Sequence, residues 1–278
     1  MLRLGKYQFD LTHRGLVMGI LNRTTDSFFD KGSYFQFDSF LSKAEELFDD
    51  GADIFDVGGV KAGAGVEVTT AEELERVVPA VKALVERFDI PVSVDTWNPV
   101  VLDAALGVGA VLGNDISGFA DREYLSVAAR WDAGVVATHI RLAPRVPDPD
   151  PLYDDVVGTV KQFLRRRVQW ALEAGVAPES IIADAGLDLG KNTIQSLELL
   201  RRSSEIASMG YPLLLSASNK DFIGAHLGLE LPERRVASIS AALVAYMGGA
   251  RIFRVHDVRG TRRALEVCAA LSQRTSVQ

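Results

Sequence analysis

The chain has 278 residues, 47% hydrophobic and 24% charged, and carries a formal net charge of −7 with an isoelectric point near 5.2. That acidic balance argues against a broad nucleic-acid footprint, which needs a basic face, and no stretch approaches the roughly 20 apolar residues that span a bilayer or reads as a secretion signal. Cys268 is the only cysteine, which excludes an intramolecular disulfide and a cysteine-based zinc site; a cytoplasmic protein of one domain, residues 1–278, is expected.

In chain order, eight short apolar runs each end in a small polar cluster. They run from Gly15 to Asn22, Asp53 to Asp56, Pro91 to Asp95, Ala110 to Asn114-Asp115, Val135 to His139, Ile181 to Asp184, Pro212 to Lys220 and Arg251 to Asp257. The runs are continuous rather than alternating, as in parallel strands covered on both faces. Between them, helical periodicity with recognisable stops predicts helices over Ser39–Asp49, Thr70–Phe88, Pro99–Leu106, Arg122–Trp131, Leu152–Ala174, Asn192–Ser208, Pro232–Tyr246 and Val258–Ala270. The second of these opens with Thr70 and Glu73 in capping-box spacing. Strand and helix alternating in this way predict an α/β fold, a single (β/α)8 barrel whose active site gathers at the C-terminal strand ends.

The connections Asn22 to Asp38 and Gly58 to Thr69, after strands one and two, exceed the common loop length and read as functional lids. Leu142 to Pro151, with prolines at 144, 147, 149 and 151, reads as a rigid connector.

Asp95, Asn114 and Asp184 end strands three, four and six, where two carboxylates and an amide match the donor and acceptor edge of a flat heterocycle. Each also suits a helix cap. Lys220, Arg254 and His256 follow strands seven and eight, where this fold frequently binds phosphate, although a surface salt-bridge cluster has the same composition. Asn22, Thr24, Asp26 and Ser27 offer oxygen ligands suited to Mg²⁺ and equally suit a solvated loop. His139, alone at a strand end, is as consistent with a structural hydrogen bond as with catalysis.

Taken together, Met18-Gly-Ile-Leu-Asn22 with Asp26-Ser-Phe28, Asp56-Val-Gly-Gly59, Ser93-Val-Asp-Thr96, Asn114-Asp-Ile-Ser-Gly118, Asp184 with Gly190-Lys191, Ser218 and Lys220 with Phe222-Ile-Gly224, and Arg254-Val-His-Asp257 resemble the dihydropteroate synthase family over nearly the whole chain. The resemblance implies a pterin pocket at Asp95, Asn114, Asp184 and Lys220, with Asp95, Asp184 and Lys220 as the catalytic set. It also implies a pyrophosphate site at Asn22, Arg254 and His256, Mg²⁺ held at Asn22, a pterin pyrophosphate as partner, and a homodimer through barrel helices. In that family pyrophosphate leaves the dihydropterin methylene and the amine of p-aminobenzoate attacks it.

The departures from the family lie in the loops. The second lid reads Lys61-Ala-Gly-Ala-Gly65 where the family has Ser-Thr-Arg-Pro-Gly, so Ala62 and Gly63 replace the threonine and arginine. Arg23 and Thr25 replace Val and Pro in the first lid, and Asp56 is grouped with these altered loops, as a support for the second lid or for the departing proton. After strand six, Asp188 and Leu189 replace a glycine and a phenylalanine, and Ser218-Asn-Lys220 replaces Ser-Arg-Lys. This pattern resembles the divergent second copy of the synthase found in some bacteria, which implies weak or absent synthesis. An active synthase using Arg23 or Lys61 as the replacement cation, and a non-catalytic pterin- or partner-binding protein, are the alternatives.

Overall fold

The computed structural model describes residues 1–23, 33–63 and 65–272. The chain opens with β1 (Leu2–Leu4) and β2 (Tyr7–Phe9), paired antiparallel around Gly5, whose φ of +55° suits glycine. Eight parallel strands follow: β3 (Leu16–Asn22), β4 (Ile54–Gly58), β5 (Val92–Asp95), β6 (Leu112–Asp115), β7 (Gly134–Thr138), β8 (Ile181–Asp184), β9 (Leu213–Leu215) and β10 (Ile252–Val255). They close into a barrel in the order β10-β3-β4-β5-β6-β7-β8-β9. Around it lie α1 (Ser33–Asp49), α2 (Thr70–Arg87), α3 (Pro99–Gly107), α4 (Glu123–Arg130), α5 (Val156–Glu173), α6 (Thr193–Arg201), α7 (Ser203–Ala207), α8 (Asp221–Leu227), α9 (Arg235–Met247) and α10 (Val258–Ser272). This is the (β/α)8 barrel expected from the sequence.

Strand periodicity positions the site. Leu16, Met18, Ile54, Leu112, Val136, Ile182, Leu214 and Ile252 pack together inside the barrel with Leu2 and Leu4, which close its lower end. Burying each of these leucines stabilises the fold by roughly 1.5–3 kcal/mol. Because successive side chains alternate faces, two residues further along the same strands the inward positions become Asp56, Asn114, Thr138, Asp184 and Arg254. The interior therefore changes from oil to polar groups within about one strand step of 6–7 Å. The outward residues, among them Val17, Phe55, Val94, Val135, Ile181 and Phe253, pack under the helices.

Several elements differ from expectation. The N-terminal hairpin was not anticipated, because three-residue strands are too short to show a period. The first helix begins at Ser33 rather than Ser39, so part of the expected first lid is helical. The Asn192–Ser208 helix breaks at Arg202 into α6 and α7, and α8 was not foreseen. The capping box of α2 is Thr69 with Glu72, one residue earlier than read. Glu73 is instead buried and accepts a bond from Thr96 Oγ1 at 2.6 Å, which ties α2 to the end of β5.

Candidate active site

At the C-terminal mouth, Arg254 from β10 reaches across the barrel. Its Nε donates to Asp56 Oδ2 at 2.6 Å and its Nη2 to Asp95 Oδ2 at 2.7 Å. Asn114 Nδ2 donates to the same Asp56 oxygen at 3.2 Å. One guanidinium thus joins three strands, and the two carboxylates hold Arg254 firmly charged. Burial pushes Asp95 up to about 7; Arg254 opposes the shift and the neighbouring Asp56 carboxylate adds to it. Asp56 is fully buried in β4 and belongs to this floor rather than to a lid, because period-two alternation turns it inward. The grouping of Asp56 with the lids is corrected accordingly.

Asp184 accepts a 2.8 Å bond from Gly186 N, and its burial raises its pKa. Gly186, at φ +63°, leaves no room for a side chain: a Cβ there would lie 2.0 Å from the His139 carbonyl oxygen. Lys220 stands at the residue before α8 and donates to the Leu187 carbonyl at 2.9 Å. Burial lowers its pKa, while Asp188 and Asp184 resist the change.

His256 Nδ1 lies 3.0 Å from Ser218 Oγ, and that hydroxyl already accepts the His256 backbone N–H at 3.2 Å. Ser218 and the His256 ring thus share one hydrogen bond, which fixes the orientation of the imidazole. Crowding at the mouth, then the charges of Arg254 and Lys220, hold the imidazole down at about 4, although its edge reaches solvent. The ring is thus neutral near pH 7.

Asn22 ends β3 beside Gly58, its Oδ1 3.1 Å from where a Cβ on that glycine would stand, with the Asp95 side chain on the other side at 3.6 Å. Among the described residues no cluster of three or more His, Cys, Asp or Glu side chains forms a cage for a metal.

The loops form a second wall. Arg23 lies over the rings of Phe37 and Phe40, 5.1 and 5.7 Å from their centroids, and donates to the Arg76 carbonyl at 3.2 Å. Its guanidinium is engaged in packing between α1 and α2. Thr25, like Thr24, Asp26 and Ser27, lies outside the described residues. Lys61, Ala62 and Gly63 are exposed, and a Cβ on Gly63 would meet nothing within 4 Å, so packing does not demand a glycine there.

Leu142 to Pro151 is more than a connector, because it joins this wall. Arg145 N donates to Ala62 O at 3.1 Å, and Arg145 Nη2 bonds the carbonyls of Gly65 and, at 2.7 Å, Val66. Lys191, buried, donates to the carbonyls of His139, Gly186 and Leu189 at 3.1, 2.7 and 3.0 Å and so ties the β7–α5 and β8–α6 loops together. Gly63, Leu142, Arg145, Asp188, Lys191 and Lys220 line a cavity of about 440 Å³. Asp188 accepts from the Phe222 backbone N–H and the Ser196 hydroxyl, each at 3.3 Å, so its carboxylate sits at the start of α8.

Arg145 was missed because its role depends on a contact between loops distant in sequence. The prolines around it signalled rigidity but not the neighbour. His139 turns outward, edge-on to Phe163 at 4.7 Å between centroids, where burial and Lys191 lower its pKa to about 2. The ring packs against α5, and its Nδ1 is buried without a hydrogen-bond partner.

A parallel barrel whose mouth gathers carboxylates, an amide and buried cations is the architecture of a pterin-site enzyme. The family model described as "Pterin binding enzyme" matches residues 18–256. The chain belongs to this family and, within it, to the dihydropteroate synthases, a transferase family. It is 40% identical over 273 residues to the dihydropteroate synthase of Synechocystis, covering 97% of this chain and 94% of that protein. It is 41% identical over 264 residues to the "Inactive dihydropteroate synthase 2" of Mycobacterium leprae, covering 93% and 91%. Among solved structures, that of Yersinia pestis dihydropteroate synthase with a sulfonamide drug complex aligns with a TM-score of 0.90 at 36% identity, covering 97% of this chain and 98% of that one.

Proposed function

We propose that this protein is a divergent dihydropteroate synthase homologue, one domain over residues 1–278, that keeps the pterin and pyrophosphate floor of the site but condenses dihydropterin pyrophosphate with p-aminobenzoate weakly or not at all. The observation that carries this reading is the contrast at the cavity of about 440 Å³: Lys220 is in place, while the second lid offers a bare Gly63 and the Asp188 carboxylate occupies the start of α8. An acceptor bearing a carboxylate meets a like charge there.

In this reading Asp95, Asn114 and Asp184 hold the heterocycle by its donor and acceptor edge, and Lys220 bonds it from the β9–α8 connection. Arg254 and His256 face the departing pyrophosphate beside Asn22. The reaction breaks the methylene C–O bond, forms a C–N bond and releases a proton from the amine. The protein's part is preorganised electrostatics: Asp95 and Asp184 favour the developing positive charge. Asn22 suits Mg²⁺ that arrives with a pyrophosphate, since this ion needs few protein oxygens when phosphates and waters complete its shell. When bound, the ion supplies charge neutralisation on the leaving group. A cytoplasmic location fits, as no helix among the described residues is long and apolar enough to cross a membrane. A homodimer through α9 and α10 fits their exposed Val244, Met247 and Val267.

The test is dihydropteroate formation from dihydropterin pyrophosphate, p-aminobenzoate and Mg²⁺, beside an authentic synthase. No product, together with measurable pterin binding, is expected; turnover near the control rate overturns the reading. Calorimetric titration with a sulfonamide is expected to show weak binding. A second reading, an active synthase, is favoured by Arg145, which brings a guanidinium to the lid that lost one. It requires Arg145→Ala to reduce turnover strongly.

A further inference from the structure

The outer face of α5 presents Gln162, Arg165, Arg166, Gln169 and Glu173 to solvent at helical spacing. On the flank beside the start of α4, Trp170 is partly buried with two guanidiniums against its ring, Arg167 at 4.0 Å and Arg122 at 4.2 Å from the centroid. Arg167 also lies 4.2 Å over Phe163. Arginines thus crowd one side of an acidic protein. Elsewhere Arg3, Arg141, Arg202 and Arg259 each meet a carboxylate. Here, among the described residues, Arg165, Arg166 and Arg167 make neither an ion pair nor a hydrogen bond, and Arg167 Nε is buried without a partner. The acids nearby are committed. Glu173 stands 3.7 Å from Arg122, and Asp115 spends its two oxygens on the Ser117 and Phe119 backbone N–H groups. Burial, then the charge of Arg166, lowers the Arg167 pKa; Asp115 opposes the shift and Arg122 adds to it.

Like charges held together without a counter-charge favour an anion that covers them, and arginine beside tryptophan is the composition of interface hot spots. A guanidinium whose N–H edges have no protein acceptor matches a carboxylate with two parallel bonds. We propose that this face of α5, centred on Arg166, Arg167 and Trp170, docks an acidic, carboxylate-rich segment of a partner protein. Charge complementarity decides the occupant. Screening at physiological salt confines the attraction to about 8 Å, so a short acidic segment meets the arginines alone. A long polyanion such as RNA also overlies the rest of a chain whose net charge is −7. Neither the mouth of the barrel nor its ligand enters into this contact.

The full chain is titrated by fluorescence anisotropy with a short labelled peptide of alternating Glu and Asp. A Gln and Asn peptide and a single-stranded RNA of the same length are titrated beside it, and the melting temperature of each variant is recorded. The wild type is expected to bind the acidic peptide and not the neutral one. The double variant Arg165→Gln, Arg166→Gln removes two exposed guanidiniums that make no bond within the fold. It is expected to bind the acidic peptide about tenfold more weakly while melting with the wild type. Arg263→Gln, at an exposed arginine of α10, is expected to bind within about twofold of wild type. No binding of the acidic peptide by the wild type, or equal binding of the neutral one, overturns the assignment. An equal loss in Arg263→Gln and the double variant overturns it as well, since the attraction is then diffuse. Tighter binding of the RNA overturns the choice of occupant. A lowered melting temperature for the double variant also counts against docking, because the arginines then serve the fold.

Discussion

The floor of the mouth and its loop wall are built by different physics. On the floor, Asp56, Asp95, Asn114, Asp184 and Arg254 are carried by strands whose register is locked on both sides, and Arg254 and Asn114 bond the Asp56 and Asp95 carboxylates across the barrel. In the wall, carbonyls of the second lid are held by single side chains from another loop, Arg145 above all. Changes at Gly63 and Asp188 leave the fold intact because nothing in the barrel depends on a side chain at Gly63, and Asp188 finds its own partners at α8 and Ser196. The strand-borne floor and the loop wall can therefore diverge separately in one chain.

The largest effect should come from the floor. Arg254→Ala leaves the Asp56 and Asp95 carboxylates buried without their cation, and urea unfolding should show a loss of roughly 3–5 kcal/mol. A change below about 1 kcal/mol would mean that the ion triad does not hold the floor together. Lys191→Met removes the donor from three carbonyls and should cost roughly 2–3 kcal/mol in thermal unfolding, placing it between floor and wall. Arg145→Ala should cost only about 1 kcal/mol yet speed proteolytic cleavage around residues 62–66, with pterin affinity unchanged. If that variant loses pterin binding, the wall is not independent of the floor.

The smallest effect concerns pH. His256 holds its proton less tightly in the fold, at about 4, than its ordinary 6.5. The neutral ring's contribution is therefore complete above pH 6.5 and is lost as pH falls toward 4. His256→Gln should flatten that stretch of the stability profile by on the order of a few tenths of a kcal/mol, since the ring is solvent-exposed. A steeper profile in the variant would reverse the sign of the argument.

Much of this protein was legible in order of sequence. Each apolar run that ended in Asp or Asn became a barrel strand, and Asp95, Asn114, Asp184, Lys220, Arg254 and His256 came to one mouth because parallel strands share a direction. The helix-cap reading of the strand-end residues fails for Asp95 and Asn114, whose side chains bond across the barrel instead of to the next helix. The cap of α2 lies one residue earlier than local spacing suggests because Glu73 is drawn under β5, where it accepts from Thr96.

The barrel, its polar rim and the altered lid composition can be read from the chain alone, since strand period and residue type are local properties. That Asp56 belongs to the floor, that Arg23 is engaged in packing and that Arg145 meets the second lid emerges only from the folded chain. Those are encounters between groups far apart in the chain, and only the closed barrel brings them within bonding distance.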